Sequence, residues 1–383
     1  MASFSGLRIY SFLPFVVGLV VAYHVVMLVE GGRKLSSRLS EEEELDLERQ
    51  LKILNKPPIK TMYTSRGDIY DCIEFYNQPA FDHPLLKNHS FSKRVETGTT
   101  SSHEILMSQI EGCPKGTVPI RRTTKEDLIR AKYFSSFSNA PGDEYKAGIS
   151  LQTSNDSFFG ASGVANVWNP NVNPDQFSGA EIAVTSGLNE IRFGWTVNPE
   201  LYGDYRTYMF AYWTSDGGHT TGCYNTLCSG FVQVDQKYTP TMFFERISVI
   251  GGLQSELTSD ISMERETGNL WLTLQGKIKV GYWPRELFPL LGLGAKYIYW
   301  GGRVKSGNNA ITPKMASGNS PDRYTDHTGY YAELQYKNNN GDTLIPGREV
   351  LQFAVDCKGS YDALWDNKHT ILHFGGPGGG TCA

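Results

Sequence analysis

The sequence carries no excess of positive charge: 36 Lys and Arg stand against 40 Asp and Glu, for a net charge of −4. That removes the basic footprint on which phosphate-backbone binding depends, so nucleic acid is not an expected partner. The standard hydrolase motifs are also missing. Gly160-Ala-Ser-Gly163 lacks the spacing of a G-x-S-x-G nucleophile elbow, and there is no H-E-x-x-H. His369 and His373 are four apart but fall in an expected strand, where about 13 Å would separate them, too far to share a metal. No close Cys pair has a second Cys pair or a His pair at zinc-ligand spacing. Cys223-Tyr-Asn-Thr-Leu-Cys228 is not the C-x-x-C of a redox pair and reads as a small disulfide-closed loop. The glycine-rich tail from Gly375 to Gly380 precedes no helix that could hold a phosphate. No metal and no cofactor are expected.

What is present points to a β-rich chain with turns. Of 383 residues, 40% are hydrophobic and 20% charged, enough to bury a core, and 40 glycines with 12% aromatics favour many short strands. Beyond Ala147 no stretch keeps helical periodicity over three turns; only Arg285 to Leu291 suggests one short helix. Alternation predicts strands at 180–184, 189–197, 207–213, 230–235, 260–264, 269–274, 277–282, 296–304 and 330–336, the last meeting the turn pair Asn340-Gly341. The fold class is mainly β: an antiparallel, jelly-roll-like sandwich, with a barrel as runner-up.

Upstream, Ser40 with Glu43 and Thr123 with Glu126 have capping-box spacing, each opening a short helix. Residues 59–122 between them read as irregular. Arg8 precedes an apolar run from Ile9 to Val29, so residues 1–32 read as a signal peptide or as an uncleaved single-span anchor. Membrane association is expected only in the anchor case. Either way the rest faces the secretory lumen or the exterior. Six cysteines fit that compartment and allow 15 pairings; chain organisation suggests Cys72–Cys113, Cys223–Cys228 and Cys357–Cys382. Asn88 and Asn155 begin glycosylation sequons. The small, polar, proline-broken stretch within 122–145 is the expected processing site.

Two segments carry a family resemblance. Tyr70-Asp-Cys-Ile-Glu-Phe-Tyr-Asn-Gln-Pro-Ala-Phe-Asp-His-Pro-Leu-Leu-Lys-Asn-His89 resembles the activation segment of the neprosin family, plant glutamic endopeptidases that cut after proline. Tyr212-Trp-Thr-Ser-Asp-Gly-Gly-His-Thr-Thr-Gly-Cys-Tyr-Asn-Thr-Leu-Cys-Ser-Gly-Phe231 supplies the second half of the match. The resemblance implies an activation segment over 33–143, a peptidase sandwich over 144–383, and synthesis as a zymogen. It also implies two glutamates facing one water, one to take its proton and one to polarise the carbonyl or protonate the leaving amine.

Two strands fit that need. On 189–197, Glu190, Arg192, Gly194 and Thr196 share a face; on 296–304, Tyr297, Tyr299, Gly301 and Arg303 do. The resemblance places the family's glutamates at Arg192 and Arg303, and arginine takes no proton at any relevant pH. Glu190 is the nearest substitute carboxylate, with Glu245 and Asp216 as further candidates. Two facing guanidiniums at about 4 Å repel by roughly 4 kcal/mol at an effective dielectric of 20, so carboxylates or a bound anion must offset them. Tyr297, Tyr299 and the Trp283-Pro284 loop are expected to give a groove aromatic surface for proline rings. The expectation is a secreted family member with a peptide-binding groove and impaired catalysis, its partners proline-containing peptides or proteins. An active endopeptidase cleaving after proline is the alternative.

Overall fold

Ser40 caps the first helix of a computed structural model that describes residues 40–64, 66–91, 110–138 and 144–382. The apolar segment at 1–32 and residues 139–143 of the expected processing region lie outside the described residues. In α1 (Glu41–Leu54) the Ser40 hydroxyl accepts from the Glu43 N–H, and the Glu43 carboxylate accepts from the Ser40 N–H and hydroxyl. Four glutamates in the first turn complement the helix dipole. The second box is shifted by one residue. Thr124 and Asp127, not Thr123 and Glu126, cap α2 (Lys125–Ser138). The reason is local: Asn55 accepts from the Thr123 N–H and donates to its carbonyl, so Thr123 is already committed.

The stretch expected to be irregular holds a small antiparallel sheet, β1 (Lys60–Tyr63), β2 (Ile69–Glu74) and β3 (Thr117–Arg121), in that order. These strands are four to six residues long, and one contains Pro119, which hides them from alternation. Cys72 and Cys113 close this segment on itself. Three 3-10 turns between Phe75 and Leu86 follow β2.

From β4 (Glu144–Gln152) onward the chain is a two-sheet sandwich. Its strands are β5 (Gly160–Asn166), β6 (Phe177–Ser186), β7 (Asn189–Val197), β8 (Thr207–Thr214), β9 (Cys223–Tyr224), β10 (Val232–Gln233), β11 (Glu256–Met263), β12 (Leu270–Leu274) and β13 (Ile278–Trp283). They continue as β14 (Tyr297–Lys305), β15 (Gly329–Lys337), β16 (Thr343–Leu344), β17 (Gln352–Val355), β18 (Asp362–Asp366) and β19 (Ile371–Gly375). One sheet has the order β17-β4-β14-β6-β7-β8-β9; the other runs β10-β13-β12-β11-β5-β15-β19-β18, with β16 on β15. Every ladder in both is antiparallel. Arg285–Leu287 forms only a 3-10 turn where a short helix was expected.

Alternation decides what faces the core. The row Ile149–Trp300–Ile182–Phe193–Ala211 crosses five strands of the first sheet and is wholly buried. Two indoles bolt the sheets together: Trp195 donates to the Asn166 carbonyl at 2.8 Å and Trp300 to that of Ser162 at 3.1 Å. Adjacent residues on these strands therefore point outward, onto the opposite face.

Candidate functional site

On that outer face, β6 lies between β7 and β14. Register sets Glu181 of β6 opposite Gly194 of β7 and Gly301 of β14, with Gly301 opposite Gly148 of β4. One cross-strand row thus holds three glycines and one carboxylate. A Cβ on Gly194 would run into the Ala180 carbonyl, and one on Gly301 into that of Ala147, so the neighbouring backbone demands glycine here. The bare row leaves space for long side chains from the rows on either side. Arg192, opposite Ala183, approaches Glu181 from one side, and Arg303, opposite Gly179, from the other.

Arg303 donates from Nε to Glu181 Oε1 at 2.7 Å, and its Nη2 makes an ion contact with the same oxygen at 2.6 Å. Its Nη1 donates to Glu144 Oε2 at 2.9 Å. Arg192 Nη1 lies 3.8 Å from Glu181 Oε2, and its Nε lies 3.5 Å from Glu190 Oε2. Arg192 Nη2 donates to the Tyr224 hydroxyl at 3.1 Å, and the guanidinium sits 4.2 Å over the Tyr212 ring. Glu181, Arg192 and Arg303 are only 2%, 6% and 8% exposed, so these ion contacts are shielded from water. Lys146, opposite Arg303, adds a third cation, which Glu181, Glu190 and Glu144 balance with three carboxylates. A small cavity of about 10 Å³ adjoins the cluster, walled by Phe177, Thr196, Asn198, Phe210 and Tyr224.

Burial alone would raise the Glu181 carboxyl, but Arg303 and Arg192 overcome it and hold the group below the usual carboxylate range. Burial opposes the charge on Arg303, yet Glu181 and Glu144 outweigh it and keep its pKa above the ordinary value. The Lys146 ammonium is pushed down, first by Arg303 and then by burial. The arrangement is therefore a fixed, ionised network of hydrogen-bond donors around one carboxylate. Glu181, held ionised, is not an acid poised to give a proton near neutral pH.

The structure brings Arg192, Arg303, Glu190 and half-buried Tyr297 to one face. Two expected groove residues need correcting. Tyr299 is on that face but fully buried, its hydroxyl donating to the Gly302 carbonyl at 2.6 Å and Lys146 lying over its ring. Trp283 ends β13 in the other sheet, fully buried 4.8 Å from the Phe231 ring, because the strand continues to residue 283 instead of giving way to a loop. Neither offers surface to a ligand. Asp216 is spent on its own turn, accepting from Thr220 and Thr221, and Glu245 lies in an exposed stretch between β10 and β11. Cys72–Cys113, Cys223–Cys228 and Cys357–Cys382 are all bonded, the second of them beside Tyr224. Asn88 and Asn155 are exposed.

Sequence reasoning missed Glu181, Glu144, Lys146, Tyr212 and Tyr224. The available signal was Glu181 itself, a single charge inside the otherwise small and apolar run Phe177-Ser-Gly-Ala-Glu-Ile-Ala-Val184. Among the described residues, no group of three or more His, Cys, Asp or Glu side chains could hold a metal. Likewise, no described helix is long and apolar enough to cross a membrane.

A family model described as Neprosin matches residues 174–377, and one described as Neprosin activation peptide matches residues 61–158. Among solved structures, scytalido-glutamic peptidase with a transition state analog inhibitor is 13% identical, with 61% of this chain and 97% of that chain covered and a TM-score of 0.37. The same peptidase with a peptide-based transition state analog is 10% identical, covering 61% and 98%, with a TM-score of 0.35. SCP-B, a member of the Eqolisin family of peptidases in complex with the tripeptide Ala-Ile-His, is 11% identical over 61% and 98%, with a TM-score of 0.32.

Proposed function

The chain belongs to the neprosin family, and from that premise we propose that it is a secreted, peptide-binding member that no longer performs the family's hydrolysis. The observation that carries this reading is the ion cluster. A glutamic peptidase needs two carboxyl-type groups on one water, and the family resemblance puts them at 192 and 303. Both positions hold guanidiniums, and both are committed to Glu181. Glu181 does not replace them, since the arginines lower its affinity for a proton and close it off from a water.

The balanced charge of the cluster argues against a requirement for a bound anion. The ligand we propose is a proline-containing peptide or protein lying across the outer face of the first sheet, with half-buried Tyr297 and Tyr212 as aromatic neighbours. Three disulfides favour an oxidising, secretory environment. In this reading residues 1–32 direct export, as signal or anchor, 33–143 form the activation segment, and 144–383 form the binding domain. Titration of a fluorescent proline-containing peptide into the intact protein is expected to give saturable binding with no cleavage, weakened by Tyr297→Ala while the fold is retained. Absence of binding, or binding indifferent to Tyr297→Ala, overturns the peptide assignment.

The alternative, an active endopeptidase cleaving after proline, rests on Glu190. It is the carboxylate of the cluster that keeps most access to solvent, 25% exposed and 3.5 Å from Arg192.

A further inference from the structure

The outer face of the second sheet carries a separate groove of about 590 Å³. Register builds it from two parallel rows. One runs Tyr282–Trp271–Ser262–Gly160–Lys337 and the next Lys279–Thr273–Asp260–Ser162–Gln335. Each row crosses five strands, which spans about 19 Å at the usual strand spacing. β5, the fourth of the five strands, lines the groove with Ser162, Gly163 and Val164, and the small Ser162 and Gly163 give this part of the floor its depth. On its far wall the register of β15 shifts between Ala332 and Gln335, and Glu333 takes a left-handed backbone at φ 52° as it lines the groove.

The chemistry of the lining restricts the occupant. Asp260, Glu264 and Glu333 balance Lys277, Lys279 and Lys337, so the groove has no net charge to attract an ion. Its large apolar lining residues are Val164 and Trp271, 8% and 5% exposed, and half-buried Met263, so a single side chain offers apolar surface and no cluster of anchors of the kind protein interfaces use is present. What remains is a dense set of hydroxyl, amide and carboxylate groups. Lys337 donates to the Ser262 hydroxyl at 2.8 Å, and Ser262 in turn donates to Asp260. The hydroxyls of Ser162 and Thr273 and the amide of Gln335 have no protein partner among the described residues and face the groove.

At one end Trp271 and Tyr282 form an aromatic pair 4.7 Å apart. Ala80, Phe75, Phe81 and Phe91 of the activation segment pack over them. The groove is thus polar along its length and aromatic at the end the activation segment seals.

We infer that this groove is a binding site for an extended, uncharged oligosaccharide, whose many hydroxyls match the alternating donors and acceptors of Ser162, Asp260, Thr273 and Gln335. The site lies on the other sheet from the ion cluster and does not depend on the reading of that cluster. The test is calorimetric titration of the full chain with cellohexaose, xylohexaose and mannohexaose, with hexagalacturonic acid as the charged comparison. At least one neutral hexasaccharide is expected to bind, with an affinity insensitive to salt. Gln335→Ala and Thr273→Ala, truncations at half-buried positions checked for an unchanged melt, are each expected to weaken it about fivefold, the worth of one hydrogen bond. The inference is overturned if none of the three neutral sugars binds, if both variants bind like the parent, or if hexagalacturonic acid is preferred.

Discussion

Replacing Glu181 by Gln keeps the shape of the side chain and removes the charge that holds Arg192 and Arg303 together. Removing one partner from a buried ion pair destabilises by about 3–5 kcal/mol, because the remaining charge stays buried without compensation. Here two guanidiniums are affected, one in contact at 2.6 and 2.7 Å and the other at 3.8 Å. Glu144 and Glu190 still neutralise part of the exposed deficit, which places the expected loss near the lower end, about 3 kcal/mol. Against a total stability of about 5–15 kcal/mol, that is readily measured. Urea unfolding followed by tryptophan fluorescence at pH 7 is the assay. The double change Glu181→Gln with Arg303→Met is expected to recover more than half of the loss, since it removes the stranded charge together with its former partner. The pH dependence has a fixed sign. Glu181 titrates below its ordinary value of 4.5, so its contribution is complete above that pH and fades as the pH falls through the folded-state value. The gap between parent and Glu181→Gln should therefore close in acid. A loss below about 1 kcal/mol at pH 7, or a gap that widens in acid, would show that the cluster is not held by Glu181.

Two further perturbations test the scaffold around the cluster. Gly194→Ala puts a Cβ against the Ala180 carbonyl, and forcing the strands apart there should lower stability by about 1–3 kcal/mol or more; an unchanged denaturation midpoint refutes the close approach. Opening the loop between Cys223 and Cys228 with a double Ser substitution removes a crosslink with a sequence separation of 5, worth about 2 kcal/mol on chain-entropy grounds. It should also weaken peptide binding by loosening Tyr224 over Arg192, whereas intact stability and binding would make the loop dispensable.

Much of the sandwich is legible in local sequence, because alternation over four to nine residues reports which side of a sheet is buried. The strand Asn189–Val197 has the bounds its alternation predicts, whereas the strand backbone pressed against Gly194 and Gly301 comes from the pairing of distant segments. Pairing between distant strands is not legible in the same way. Nothing local to residues 177–186 says that β6 inserts between β7 and β14, yet that insertion carries Glu181 to the two arginines. A repulsive pair in sequence thus becomes a compensated cluster in the fold. The burial of the aromatic residues is not legible for a related reason. Face can be read from alternation, but the depth at which Tyr299 and Trp283 lie depends on what covers them, and that is set by tertiary packing.

The most direct test of the central claim is the rate at which the protein, freed of its activation segment, hydrolyses proline-containing peptides. Loss of one general acid–base group commonly lowers rates by about 10²–10⁴, so hydrolysis at least ~100-fold slower than in an active family member is predicted. Introducing glutamate at both positions, Arg192→Glu with Arg303→Glu, is expected to raise the rate. Efficient cleavage after proline by the unsubstituted protein, abolished by Glu190→Gln, would contradict the account and identify Glu190 as the working carboxylate.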